Sequence, residues 1–307
     1  MSTTHAILED LALATGVLDR SGHERRDPRL LDALLTDPAT RVVEIRGEKA
    51  AVDVADGRGS LRLRAPQSGD RTVLAAALGR GPDGRAYVAV LPLTTSEELD
   101  GSWLTLRRAG DLLDRLDAGL FTTALALANW HGTHGRCSLC GSRTEPIEAG
   151  WVRHCPKDGS EHYPRTDPAV IMSVIDPDDR ILLGRSPRWP EGRFSVLAGF
   201  VEPGESFEQA VAREVAEEVG IAVDDVTYLG NQPWPFPSSV MVGFAARTAQ
   251  VDLTLDPVEM AEARWMTRDE YRQLLRSHEI RTPVGISIAK RMIEHWLGES
   301  VESAARG

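Results

Sequence analysis

Cysteine is scarce in this chain: its 307 residues include three, Cys137, Cys140 and Cys155, clustered within a 19-residue stretch. That excludes a disulfide framework, which needs paired cysteines spread along a short secreted chain. An odd, local set instead fits a reducing compartment and a bound metal. Lysine is as rare, three against 32 arginines, which we read as codon composition rather than chemistry. Long apolar runs are missing too: none approaches the ~18 residues that span a membrane, so no membrane partner is expected. The opening "MSTTHAILEDLALATGVLDR" lacks a basic segment followed by an apolar core, and "SAARG" carries no sorting signal. A cytoplasmic location is therefore expected. Positive charge is short overall. A net charge of −11 excludes broad, nonspecific nucleic-acid binding but leaves room for a local basic patch.

What is present reads as soluble and globular, with 42% hydrophobic and 26% charged residues. The length calls for about two or three domains. Residues 1–102 show short β-like runs ("RVVEI", "LRLRA", "VLAAAL", "AYVAVLPL") separated by turn signals such as "ADGRGS" and "GPDGR", and nothing catalytic stands out there. Residues 103–163 open with leucine and alanine at helical spacing through residue 134, which predicts a helical connector, and then carry the cysteine cluster. Residues 164–297 alternate strands ("AVIMSVID", "RILLGR", "FSVLAGF", "VMVGFAAR") with helices near 206–219 and 285–297, the pattern of a compact α/β domain. Residues 298–307 are expected to be a frayed tail.

Glu214, Glu217 and Glu218 place three carboxylates in five positions of the first of these helices. Positions i, i+3 and i+4 share a helix face, where like charges repel unless a cation lies between them. Ser206 is a plausible N-cap, with Glu205 as the alternative start; Val211, Val215 and Val219 recur at four-residue spacing and can face the core, and Gly220 suits the C′ position. Hard divalent cations prefer such oxygen donors and keep waters, which suits phosphate substrates.

Read outward, "GFVEPGESFEQAVAREVAEEVGI" has Gly199, then five residues and Glu205, then seven and Arg213-Glu214, then Glu217-Glu218 and Gly220, with aliphatic residues at Val215 and Ile221. This resembles the Nudix box, the signature of the Nudix hydrolases, at every defined position. A second stretch, "NQPWPFPSS" at 231–239, resembles the SQPWPFPxS motif of the NADH pyrophosphatase branch of that family. It departs only at Asn231, which replaces the first serine. The resemblance implies an α/β fold: a Nudix α/β/α sandwich, with a β-rich N-terminal domain and an intervening zinc ribbon.

The resemblance also implies an activity: Mg²⁺- or Mn²⁺-dependent hydrolysis of the central diphosphate of NADH or NAD⁺, giving nicotinamide mononucleotide (or its reduced form) and AMP. About two to three divalent ions per site are implied, held by Glu214, Glu217, Glu218, Glu259 and the Ala198 carbonyl. Arg213 is similar to the family arginine that pairs with the upstream glutamate, here Glu205. Metal-bound water attacks phosphorus in such enzymes and a glutamate takes its proton; Glu217 is the expected base and Glu259 its alternative. Glu262 is a rival to Glu259. Substrate contacts implied by the resemblance are Tyr163, Phe200, Gln232, Pro233, Trp234, Pro235, Phe236, Pro237, Ser238, Ser239 and Ala289. Rigid aromatics suit flat bases, and the Gln232 amide has the donors and acceptors to read a base edge.

The cysteines stand as Cys137-x₂-Cys140 and Cys155-x₂-Asp158, where the family has a fourth cysteine. One structural Zn²⁺ is implied, with Asp158 as fourth ligand and His154 and His162 as nearby alternatives; a ribbon held by packing alone is the bland reading. Family members pair as homodimers, which the resemblance carries over. The same chemistry could remove an NAD cap from RNA 5′ ends. A different class is a non-catalytic Nudix sensor with a nucleic-acid-binding zinc ribbon.

Overall fold

The computed structural model describes residues 7–92, 99–283 and 285–306. The expectations at the first six residues, at Leu93 and at Gly307 lie outside them. Two compact units emerge. An N-terminal unit holds Ala12–Thr166 together with Pro233–Ser239; a C-terminal unit holds Asp167–Gln232, the chain from Val240 onward, and a short segment ending at Leu11.

The N-terminal unit contains α1 (Leu30–Thr36), β1 (Arg41–Glu44), β2 (Lys49–Ala55), β3 (Arg58–Leu61), β4 (Ala75–Arg80), β5 (Ala86–Val90), β6 (Trp103–Thr105), α2 (Leu106–Ala109), α3 (Arg115–Thr133), β7 (Glu145–Ile147), β8 (Val152–His154) and β9 (Glu161–His162). Its strands form three three-stranded sheets, ordered β1-β5-β4, β3-β2-β6 and β7-β8-β9. Valine and alanine make β4 and β5 almost wholly buried strands, and Leu35 of α1 packs on them with Val42, Val88 and Val90. The boundary expected after residue 102 falls inside a sheet instead, because β6 pairs with β2 through Ala51 and Trp103. The helix expected from 103 to 134 is broken as well. Leu106 and Ala109 keep the helical spacing, but Gly110 ends α2 and the Asp114 carboxylate caps α3 by accepting from Asp117 N.

The C-terminal unit runs β10 (Asp167–Ile175), β11 (Ile181–Arg185), β12 (Leu197–Phe200), α4 (Phe207–Val219), β13 (Asp224–Trp234, its last two residues belonging to the other unit), β14 (Ser239–Arg247), β15 (Glu262–Met266), α5 (Arg268–Arg276), α6 (Ile288–Leu297) and α7 (Val301–Arg306). One mixed sheet follows the order β13-β14-β10-β11-β15, with β12 added to β10. β10 is buried over Ala169–Ile175 without alternation, the mark of a strand covered on both faces. On one face Val211, Val215 and Val219 of α4 pack with Val170, Met172, Val174 and Phe244. On the other lies α6, admitted by Gly243, where a Cβ would crowd Ile288 and Met292. Helix, sheet and helix make the expected sandwich. The expected frayed tail is instead α7, with Val301 and Ala304 buried. Strand β13 continues through Trp234 into the Pro-rich stretch before its turn. Among the described residues no helix is long and apolar enough to cross a membrane.

Candidate metal and substrate site

β12 and α4 bring the acidic residues together. Ser206 caps α4 by accepting from Gln209 N, and the Gln209 side-chain oxygen in turn accepts from Ser206 N. Gly220 closes the helix at φ 74°, a left-handed conformation that glycine adopts without strain. Between these caps Glu214 and Glu218 point inward and are buried, while Glu217 faces solvent. Gly199 in β12 has no room for a side chain, since a Cβ would overlap the Glu214 carboxylate.

Arg213 ties the cluster. Its Nε donates to Glu205 Oε1 at 2.6 Å and Nη2 to Glu205 Oε2 at 3.0 Å, a two-point pair. Nη1 donates to Glu214 Oε1 and to Glu217 Oε2, each at 2.9 Å, and Nη2 also reaches the Phe200 carbonyl. The guanidinium holds the Glu205 carboxyl below its ordinary value. Burial raises Glu214 even so. Glu218 has no such cation. Burial, then the charges of Glu214 and Glu259, push it up to about 8, and its Oε2 is buried with no hydrogen-bond partner among the described residues.

A cleft of about 340 Å³ opens beside it, lined by Ala198, Glu218 and Glu259 together with Ser186, Arg188 and Trp189. Glu262, the rival to Glu259, is paired with Arg185 and Arg264. A buried carboxylate oxygen without a donor, in a cluster of like charges, fits a hard divalent cation. Arg188 and Trp189 belong to no motif noted in the sequence. The only signal for them was an aromatic and a cation set between prolines directly after a strand.

The substrate positions fall in different surroundings. Phe200 is 59% exposed in the C-terminal unit and Tyr163 62% exposed in the N-terminal one, where its hydroxyl donates to Glu161. Gln232 requires a correction. It is fully buried, its Nε2 donates to Ile286 O at 2.8 Å, and its Oε1 accepts from Ile288 N at 2.9 Å. The amide that was expected to read a base is engaged in holding the start of α6. Ala289 is buried in the first turn of that helix, so its side chain offers no surface to a ligand. Trp234 and Phe236 meet edge to face at 4.8 Å, with the Arg107 guanidinium 5.0 and 3.9 Å from their centroids. Asn129 Nδ2 donates to the carbonyls of Pro235 and Pro237. Pro233 and Ser238 are half-buried, Pro237 is exposed, and Ser239 is buried at the start of β14. The motif is thus a braced turn in which one face of each ring is covered.

The ribbon closes on two matching turns. Cys137 N donates to Ser142 O and Gly141 N to Cys137 O; Cys155 N donates to Ser160 O and Gly159 N to Cys155 O. The ligand atoms of Cys137, Cys140, Cys155 and Asp158 lie within 4.8 Å of one another. His154 and His162 stand outside that group. Hydrogen bonds from the Cys140 thiol and from Ser160 hold Asp158 well below the usual carboxylate range. Three soft donors and one hard one, gathered this closely, fit a tetrahedral Zn²⁺. Buried Arg153 of β8 fastens the ribbon to α3, donating to Thr144 and, at 2.8 Å, to His131 Nδ1. His131 therefore carries its proton on Nε2, toward Gly150 O, and burial pushes its pKa down to about 4.

Comparisons with known proteins agree with this layout. Residues 165–284 match the NUDIX domain family, and residues 133–163 match the NADH pyrophosphatase zinc ribbon domain. The chain is similar to the NAD-capped RNA hydrolase NudC of Mycobacterium bovis, 40% identical over 295 residues, covering 91% of this chain and 94% of that one. The protein of the same name from Mycobacterium tuberculosis is 39% identical over the same span. NAD-capped RNA hydrolase NUDT12 of Homo sapiens is 40% identical over 197 residues, 60% of this chain and 43% of that one.

Proposed function

Because the chain belongs to the NADH pyrophosphatase branch of the Nudix hydrolases, we propose that it hydrolyses the central diphosphate of NAD(H) to the nicotinamide mononucleotide and AMP. The observation that carries this is the acidic cluster around Gly199, with the unpartnered Glu218 oxygen beside a cleft lined by Ala198 and Glu259. Glu214, Glu218 and Glu259, with the Ala198 carbonyl, would hold Mg²⁺ or Mn²⁺. Such an ion, when bound, neutralises charge on the phosphoryl oxygens and acidifies water.

The chain's own groups do the rest. Arg213 fixes Glu217 by one oxygen, Oε2, and leaves Oε1 to take the proton of the attacking water. By pairing with Glu205 and the Phe200 carbonyl, the same guanidinium sets α4 against β12. Exposed Phe200 offers a ring face to a flat base. We assign Zn²⁺ to Cys137, Cys140, Cys155 and Asp158 as a structural ion, and take the working protein to be a cytoplasmic homodimer.

Incubation with NADH and Mn²⁺, followed by separation of the nucleotides, tests the reading. Equimolar AMP and reduced nicotinamide mononucleotide are the expected products, and intact NADH would refute it. Removal of the NAD cap from RNA is the second reading. It is favoured by one observation, the name borne by relatives 40% identical over 94% of their length. A non-catalytic sensor is disfavoured, since it would have no use for the buried, mutually repelling Glu214 and Glu218.

A further inference from the structure

One stretch of the cleft lining has no role in the chemistry above. It is the loop between β11 and β12, and it is held at both ends. At its base Gly184 and Ser195 exchange backbone hydrogen bonds at 2.9 and 3.0 Å; at its tip Arg281 N donates to Gly192 O at 2.7 Å. Gly192 sits at φ 75°, where a Cβ would strike Glu279 O. Within the loop Trp189 N donates to Ser186 O at 3.0 Å and Arg193 N to Pro190 O at 3.3 Å. The Trp189 ring is stacked by the Arg193 guanidinium, 4.9 Å from its centroid.

Two groups on this fixed loop are left over. The Trp189 ring is half-buried and lines the cleft, and its indole N–H has no protein acceptor among the described residues. The Arg188 guanidinium, also lining the cleft, is exposed and has no ion pair among the described residues. An exposed guanidinium lining the same cleft as Glu218 and Glu259 is available to an anion brought there. A dinucleotide brings one in its diphosphate, and brings two flat rings besides.

We propose that Arg188 and Trp189 form the second wall of the substrate site, Arg188 pairing with the diphosphate and Trp189 stacking on one of the two terminal rings. The inference rests on the NAD(H) reading. A pre-ordered aromatic binds a base without a large ordering cost, and a guanidinium matches phosphate oxygens in two-point geometry. Both act by binding and leave the proton transfer to the glutamates.

The test uses the full-length protein with Mn²⁺ and NADH. Trp189→Ala should raise KM about tenfold with kcat within about twofold, and Trp189→Phe should restore most of the loss. Arg188→Ala should raise KM about tenfold and flatten its dependence on salt, with Arg188→Lys recovering part. Equilibrium binding of AMP and of nicotinamide mononucleotide to Trp189→Ala should be weakened about tenfold for one of the two. Unchanged KM and unchanged mononucleotide binding in the variants, with a wild type that turns NADH over, would overturn this inference alone. Failure of the wild type to cleave NADH would overturn the underlying reading with it. A joint fall of Tm and kcat in both Trp189→Ala and Trp189→Phe would make the tryptophan part of the loop's fold and also sink the proposal.

Discussion

Glu218 has the least support of the clustered carboxylates, and its environment gives a signed expectation. Burial and its acidic neighbours raise it from 4.5 to about 8. Between those values the folded protein binds more protons there than the unfolded chain does, so stability falls as pH rises through the window. In a chelator-treated sample, Glu218→Gln should therefore gain on the wild type by about 2 to 4 kcal/mol between pH 5 and pH 8. Turnover should fall about 10²- to 10³-fold. Parallel urea curves at both pH values, or near-normal kcat, would sink the assignment. Gln232 gives the opposite case. Gln232→Leu leaves Ile286 O and Ile288 N unpaired in the interior, at about 1–3 kcal/mol for each group. A lowered Tm is expected; unchanged Tm with a raised KM would return Gln232 to the substrate. The sequence told which residues had useful chemistry, as at Gln232, but not that Ile286 and Ile288, 54 and 56 residues away, would claim it.

At the scale of elements, legibility followed local punctuation. Helix α4 could be read to the residue because Ser206 and Gly220 mark its ends and three valines mark its buried face. The span from 103 to 134 could not. Leucine recurs through β6, α2 and α3 alike, and the breaks are marked only by Gly110 at the end of α2 and by Asp114, an unremarkable aspartate in sequence, which caps α3. Strand β13 was hidden because its pattern of exposure does not alternate cleanly and it ends inside a proline-rich motif. The ribbon was legible from spacing, and its departure at Asp158 sets a further expectation. Asp158→Cys should retain zinc against a strong chelator longer than wild type, while Asp158→Ala should release it sooner and melt lower. Elemental analysis of protein purified without chelator provides the check. No zinc in the wild type, and no stabilisation by added zinc, would mean that packing alone holds the two turns.

At the scale of the whole molecule, the expectation concerns which diphosphate is cut. NADH and NAD⁺ should show higher kcat/KM than ADP-ribose, since a second ring has Phe200, exposed in the C-terminal unit, to meet; equal values would show that the nicotinamide end goes unread. One more property belongs to the molecule entire. Arg213 is a cation that cannot diffuse away, and it already sits among Glu205, Glu214 and Glu217. On the proposed reading, that fixed cation should leave the fold standing when divalent ions are withdrawn: a chelator is expected to stop turnover while leaving the far-UV circular dichroism unchanged, so that activity and folding are lost separately.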